Sequence, residues 1–183
     1  MTFAMYRENP EEFITKVISL MNEKKATTIV EYITYNQLDG VYDKAIFTAE
    51  KHSTMDKAYR AAKAVKDYVF TDGIAEKSVE RAFAEDLDRA AEVCVYAKLP
   101  RDFKIPTPVG NYSPDWAIVF NEGTVKHIYF IAETKGAMNS MNLRPVEQAK
   151  LHCAQKLFTA MSNGTVKYDH LKTYQELLDK VMR

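Results

Sequence analysis

Two apolar runs separated by a polar turn dominate the middle of the chain. Trp116-Ala117-Ile118-Val119-Phe120 follows Pro114-Asp115, and Asn121-Glu122-Gly123-Thr124 supplies the turn. His127-Ile128-Tyr129-Phe130-Ile131-Ala132 then ends at Glu133-Thr134-Lys135-Gly136. Short apolar runs bounded by turn residues predict two strands of a hairpin spanning about 115–134. Both runs are apolar nearly throughout, as strands covered on both faces should be.

The rest of the chain is arranged around this hairpin. Asn9-Pro10-Glu11-Glu12 predicts a helix start, with Asn as cap, Pro in the first turn and acids at the positive dipole end. Phe13, Val17, Leu20 and Met21 recur at helical spacing and predict an end near Lys24-Lys25. The β-branched and aromatic stretch Thr27 to Tyr35 predicts a strand. Residues 37–53 read as irregular, with Asp39-Gly40 as a turn. Thr54 to Phe70 reads as a helix carrying Met55, Tyr59, Ala62, Val65 and Val69. A second helix is predicted from about Glu76 to Ala91, on Val79, Phe83, Leu87 and Ala90, and a strand over Val93–Leu99. Pro100, Pro106 and Pro108 mark 101–112 as an irregular excursion. After the hairpin come a Met/Asn-rich loop over 137–143, a helix over Arg144–Ser162, a strand over Val166–Leu171, and a helix opened by Thr173-Tyr174-Gln175-Glu176. The expected fold class is α/β (α+β): a mixed sheet flanked by helices, with an N-terminal helical and strand extension. The expected division is an extension over 1–75, packing on or linking to a core over 76–183.

Composition narrows the chemistry. A chain of 183 residues is long enough for one buried core. Its net charge is zero, which argues against a whole-surface nucleic-acid binder but leaves room for a local basic cleft. Lys98, Arg101 and Lys104 cluster before the hairpin, and Lys135, Arg144, Lys150 and Lys156 follow it. Cys94 and Cys153 lie far apart, and His52, His127, His152 and His170 have no zinc-ligand spacing, which removes a zinc or thiol enzyme. The start, Met-Thr-Phe-Ala-Met-Tyr-Arg, lacks a signal-peptide pattern, and no stretch reaches membrane-span length. A cytoplasmic protein with two reduced thiols and no membrane contact is expected.

The hairpin brings Asp115 and Glu133 to one edge of the sheet, with Lys135 beside them. Strand alternation places Glu133 and Lys135 on the same face. Two carboxylates suit a hard divalent cation such as magnesium, and the backbone carbonyl of Thr134 is a candidate third ligand. Phosphodiester hydrolysis needs charge neutralisation and an activated water, and a lysine can stabilise the developing charge. The predicted catalytic residues are therefore Asp115, Glu133 and Lys135. Glu80 is a further carboxylate near the inward stripe of its helix. Lys98, Arg101, Lys104, Gln148 and Lys150 are candidate contacts to DNA phosphate. Trp116 points to the opposite face from Asp115 and reads as core. A glycosidase with paired carboxylates has the right residue types but leaves Lys135 unexplained.

A family resemblance lies on these same residues. Lys98-Leu99-Pro100, the string Phe103-Lys104-Ile105-Pro106-Thr107-Pro108-Val109-Gly110-Asn111-Tyr112-Ser113-Pro114-Asp115-Trp116-Ala117, and Ala132-Glu133-Thr134-Lys135-Gly136 resemble the C-terminal nuclease region of the Res subunit of type III restriction-modification enzymes. Ile33-Thr34-Tyr35, Val79 to Leu87 and the helix from Leu143-Arg144 to Phe158 are similar as well. The resemblance implies a PD-(D/E)xK nuclease fold and magnesium-dependent double-strand cleavage, with manganese as a substitute. It also implies a complex with a Mod methyltransferase subunit. Asp115 and Glu133 become metal ligands, Lys135 the catalytic lysine, and Glu80 the helical acid of the wider fold.

The family's Res subunit also carries a helicase-like ATPase, but this sequence has no Gly-x-x-x-x-Gly-Lys-Ser/Thr phosphate loop. ATP and S-adenosylmethionine would act only through other domains or subunits. The chain is expected to be an excised piece or a shortened product of a Res-like gene. The competing reading is a non-catalytic nuclease-like scaffold that docks Res and Mod. The complete Asp, Glu and Lys set favours the nuclease.

Overall fold

The computed structural model describes residues 3–36, 58–71, 78–125, 129–134, 145–162 and 166–182. Its elements are α1 (Phe3–Glu8), α2 (Pro10–Ile29), β1 (Ala58–Arg60), β2 (Tyr68–Phe70), α3 (Val79–Arg89), β3 (Val93–Lys98), β4 (Trp116–Phe120), β5 (Tyr129–Thr134), α4 (Pro145–Ser162), β6 (Val166–Leu171) and α5 (Tyr174–Met182). The main sheet has the order β3-β4-β5-β6. β3/β4 and β4/β5 are antiparallel, whereas β5/β6 are parallel and joined through α4. This is the expected mixed α/β sheet, and from α3 onward the order of elements is the one the sequence predicts.

Helices cover both faces of the sheet, which explains the apolar hairpin. On one face Phe83 and Leu87 of α3 and Leu177 and Val181 of α5 pack with Trp116, Ile118, Phe120, Phe130 and Leu171. Trp116 is fully buried there, as a core residue should be. On the other face Leu151, Ala154 and Phe158 of α4 pack with Ile105, Tyr112 and Tyr168. α4 is buried on a second side too, where Ala149 and Cys153 meet Val30 just past α2. Both cysteines are free. No helix among the described residues is long and apolar enough to cross a membrane.

Two N-terminal expectations are corrected. The strand over Thr27 to Tyr35 does not form. Instead α2, capped by the Asn9 side chain accepting from the Glu12 N–H, runs through to Ile29 and ends in a turn. Its trailing carbonyls find a donor across space: Lys156 Nζ reaches Val30 O at 3.0 Å and Glu31 O at 2.8 Å. Helix ends need such partners, and this one leaves no role for a strand. It also commits Lys156 to the fold rather than to a ligand.

The helix over Thr54 to Phe70 is replaced, where described, by the antiparallel pair β1/β2. Asp88 of α3 organises the turn between them. It accepts from the Ala62 and Lys63 N–H groups at 3.0 and 2.8 Å and from the hydroxyls of Tyr59 and Tyr96 at 3.1 and 3.3 Å. Ala64 then bridges to Tyr96 beside β3. Val65, placed on the apolar side of the expected helix, is 64% exposed. A tertiary contact from α3 outweighs local periodicity here. The predicted irregular stretch 37–53 and the loop over 137–143 lie outside the described residues, as do Lys135 and Arg144.

Candidate active site

The β4/β5 register builds the site. Trp116 pairs with Ala132, and the Asp115 N–H donates to Ala132 O at 3.1 Å. Asp115 therefore stands beside Glu133 at the same sheet edge. The Asp115 carbonyl accepts from Leu99 N at 2.7 Å, which ties the residue to the end of β3 as well. Its backbone is thus held from both neighbouring strands.

Each carboxylate is oriented by its own donors. Asp115 Oδ2 accepts from the Thr134 N–H at 2.8 Å and from Thr134 Oγ1 at 2.9 Å. Trp116 Nε1 donates to the same Oγ1 at 3.1 Å, which fixes the hydroxyl's direction. The Thr134 side chain thus lies on the opposite face from Glu133, as strand alternation requires. Asp115 Oδ1 makes no hydrogen bond among the described residues. Glu133 is buried, and its Oε2 accepts from the Tyr112 hydroxyl at 2.9 Å. Tyr112 and Tyr168 are joined through their hydroxyls. A hydroxyl carries one proton, so Tyr168 donates to Tyr112 and Tyr112 donates to Glu133.

Burial is the first cause of the shifts at both Asp115 and Tyr112. Burial pushes the Asp115 carboxyl above its ordinary value; the two Thr134 bonds oppose this, Glu80 adds to it and Lys98 opposes it. Lys98 is itself paired with Glu80 and lies over the Trp116 ring, 5.3 Å from its centroid. Burial, followed by the Tyr168 and Glu133 charges, holds the Tyr112 phenol well above its usual range, so it remains a donor.

The structure brings Asp115, Glu133, Thr134, Glu80 and Lys98 to this edge. Arg101 and Lys104 are exposed on the excursion between β3 and β4, where Arg101 O accepts from Ser113 Oγ at 3.2 Å. Gln148 is exposed on α4, and Lys150 Nζ lies 3.7 Å from Glu147 Oε1. Lys135 is outside the described residues.

Sequence reasoning missed the Tyr112–Tyr168 couple and the Thr134 hydroxyl. It also missed His170, the register partner of Glu133, whose Nδ1 lies 3.4 Å from Asp169. Alternation along β6 could have found Tyr168 and His170 on one face. Nothing local to Tyr112 announces its bond to Glu133.

Carboxylate oxygens suit magnesium or manganese, and the register that pairs Trp116 with Ala132 sets Asp115 opposite Glu133. Among the described residues no group of three or more His, Cys, Asp or Glu side chains gathers as it would round a metal ion.

A mixed sheet whose edge carries two oriented carboxylates is an architecture suited to phosphoester chemistry. The comparison with known proteins makes the assignment more specific. A family model described as an endonuclease domain matches residues 62–174, and the chain belongs to this family of endonuclease domains. It is related to Res subunits of type III restriction-modification enzymes. It is 30% identical to the EcoPI Res subunit of Escherichia phage P1 over 141 residues, covering 71% of this chain and 14% of that protein. It is 36% identical to the EcoP15I Res subunit of Escherichia coli over 106 residues, covering 56% of this chain and 11% of that protein. The match thus spans a small part of those relatives. No solved structure matches the chain.

Proposed function

We propose that this chain is a metal-dependent DNA endonuclease domain that hydrolyses phosphodiester bonds as the cleavage module of a type III restriction system. The observation that carries the reading is the β4/β5 register, which stands Asp115 beside Glu133 in a chain of the endonuclease-domain family. Asp115 and Glu133, with the Thr134 carbonyl, would hold magnesium or manganese, which supplies Lewis acidity and a lowered water pKa when bound. Thr134 fixes the Asp115 carboxylate through two hydrogen bonds, and Tyr112 fixes Glu133 through one. Lys135 stabilises charge on the phosphate and orients the attacking water. Glu80 tethers Lys98 at the same edge. Arg101, Lys104, Gln148 and Lys150 supply phosphate contacts.

The partners in this reading are double-stranded DNA, a Mod methyltransferase subunit and a helicase-like part of Res. ATP and S-adenosylmethionine belong to those parts, and the setting is the cytoplasm. The extension over 1–75 flanks a nuclease core over 76–183. Cleavage by this chain alone should be weak, because its net charge is zero and placement on DNA falls to the partners.

The test is plasmid cleavage in magnesium and in manganese, with this domain in place of the equivalent part of a complete Res–Mod complex. Asp115→Ala, Glu133→Ala and Lys135→Ala should each lower cleavage at least about 100-fold while far-UV circular dichroism is unchanged. Cleavage that survives all three changes would overturn the assignment.

A further inference from the structure

Helix α2 carries an apolar stripe that the described structure leaves uncovered. Ile14, Ile18 and Met21 are 50%, 53% and 55% exposed. Their spacing of four then three residues is that of a helix–helix seam. α1 folds against a different side, where Tyr6 meets Phe13 edge to face. Among the described residues α2 packs against α1 and α4, and the turn just past its end is held by Val30 on α4 and by the Lys156 bonds. A helix of 20 residues draws most of its stability from packing of its apolar face.

The charges beside the stripe indicate what packs there. Glu11 and Glu12 lie in the first turn of α2, and Lys25 lies near its end. Glu11 stands seven positions before Ile18 and Lys25 seven after it. Both are exposed and lie on the same side of the helix as the stripe. An antiparallel pair of α2 helices related by a two-fold axis at Ile18 would set each Glu11 opposite the other copy's Lys25, about 10 Å along the helix from the crossing point. A parallel pair would instead set like charges side by side.

We propose that two copies of this chain associate through α2, antiparallel, with Ile14, Ile18 and Met21 as the shared seam and Glu11–Lys25 pairs at both ends. The interface is isologous, so one surface serves both copies. It would supply two cleavage centres in one particle.

The test is sedimentation velocity of the full chain at about 50 µM, a concentration suited to a micromolar helix pair. The expected mass is twice 21.0 kDa. Ile18→Glu should weaken association by about 100-fold, as loss of a central interface residue does, with circular dichroism unchanged. Glu11→Lys alone and Lys25→Glu alone should each be monomeric, and an equimolar mixture of the two should recover the dimer. Loss of the dimer in the two single charge variants decides the geometry even if Ile18→Glu misfolds, because a parallel pair would set like charges together before and after either change. A monomeric parent chain would overturn the proposal and leave the stripe to a segment of different sequence. A dimer unaffected by these changes, or a mixture that stays monomeric, would overturn it equally.

Discussion

Asp115→Asn should make the protein more stable while ending the cleavage proposed for it. In the native state burial and Glu80 push the Asp115 carboxyl up, and the Thr134 N–H, the Thr134 hydroxyl and Lys98 only partly offset them. The folded protein therefore binds this proton more tightly than the unfolded chain does. Protonated Asp115 contributes stability that is fully present below the unfolded value of about 4 and is lost as pH rises through the folded value. At pH 7, without divalent metal, the ionised carboxylate is a net cost. Asparagine keeps an oxygen that can accept from Thr134 and forgoes about 1 kcal/mol of charge assistance. It also removes the larger desolvation penalty of a half-buried charge.

The expected gain is about 1 kcal/mol at pH 7, shrinking toward zero near pH 4. Urea unfolding in EDTA reads it as a midpoint shift of roughly 0.3–1 M. Magnesium should then stabilise the parent chain and not the variant, because only the parent keeps both carboxylates. If Asp115 served only to fasten Thr134, the same change would cost about 1–3 kcal/mol at pH 7. A loss of that size would refute the reasoning.

Two further outcomes follow from the same hydrogen-bond geometry. Asp88→Ala removes the acceptor for two backbone and two tyrosine donors; it should cost about 2–4 kcal/mol and raise hydrogen exchange across residues 58–70. Burial alone would raise the Asp88 carboxyl, but those bonds hold it below its ordinary value. Its stability contribution is therefore present above the unfolded value and fades as pH falls through the folded one, so acid titration of the parent chain should show a loss that Asp88→Asn lacks. Tyr112→Phe leaves Tyr168 and Glu133 without their shared hydroxyl; it should cost about 1–3 kcal/mol in urea and slow cleavage at least tenfold with little change in substrate binding. Unchanged cleavage by that variant would remove Tyr112 from any role in orienting Glu133.

The hairpin, the two carboxylates at its ends, the helices over 79–89 and 145–162 and the last strand were all legible in the sequence. They rest on local signals: apolar runs between turns, caps, and periods of two and 3.6. Those signals survive because each element buries the face that its own pattern marks. The N-terminal region departs from its pattern for the opposite reason. The β-branched stretch after Lys25 becomes helix and turn because Lys156, more than a hundred residues away in sequence, donates to the carbonyls at its end. The Tyr59-to-Val69 periodicity yields to β-structure because Asp88 claims the backbone of Ala62 and Lys63.

The placement of Asp115 opposite Glu133 followed from the sequence, but the orientation of their side chains did not. Which oxygen of Asp115 faces Thr134, and which tyrosine holds Glu133, depend on strands and a loop meeting in space. Hydrogen bonds between residues distant in sequence leave no periodic trace along the chain.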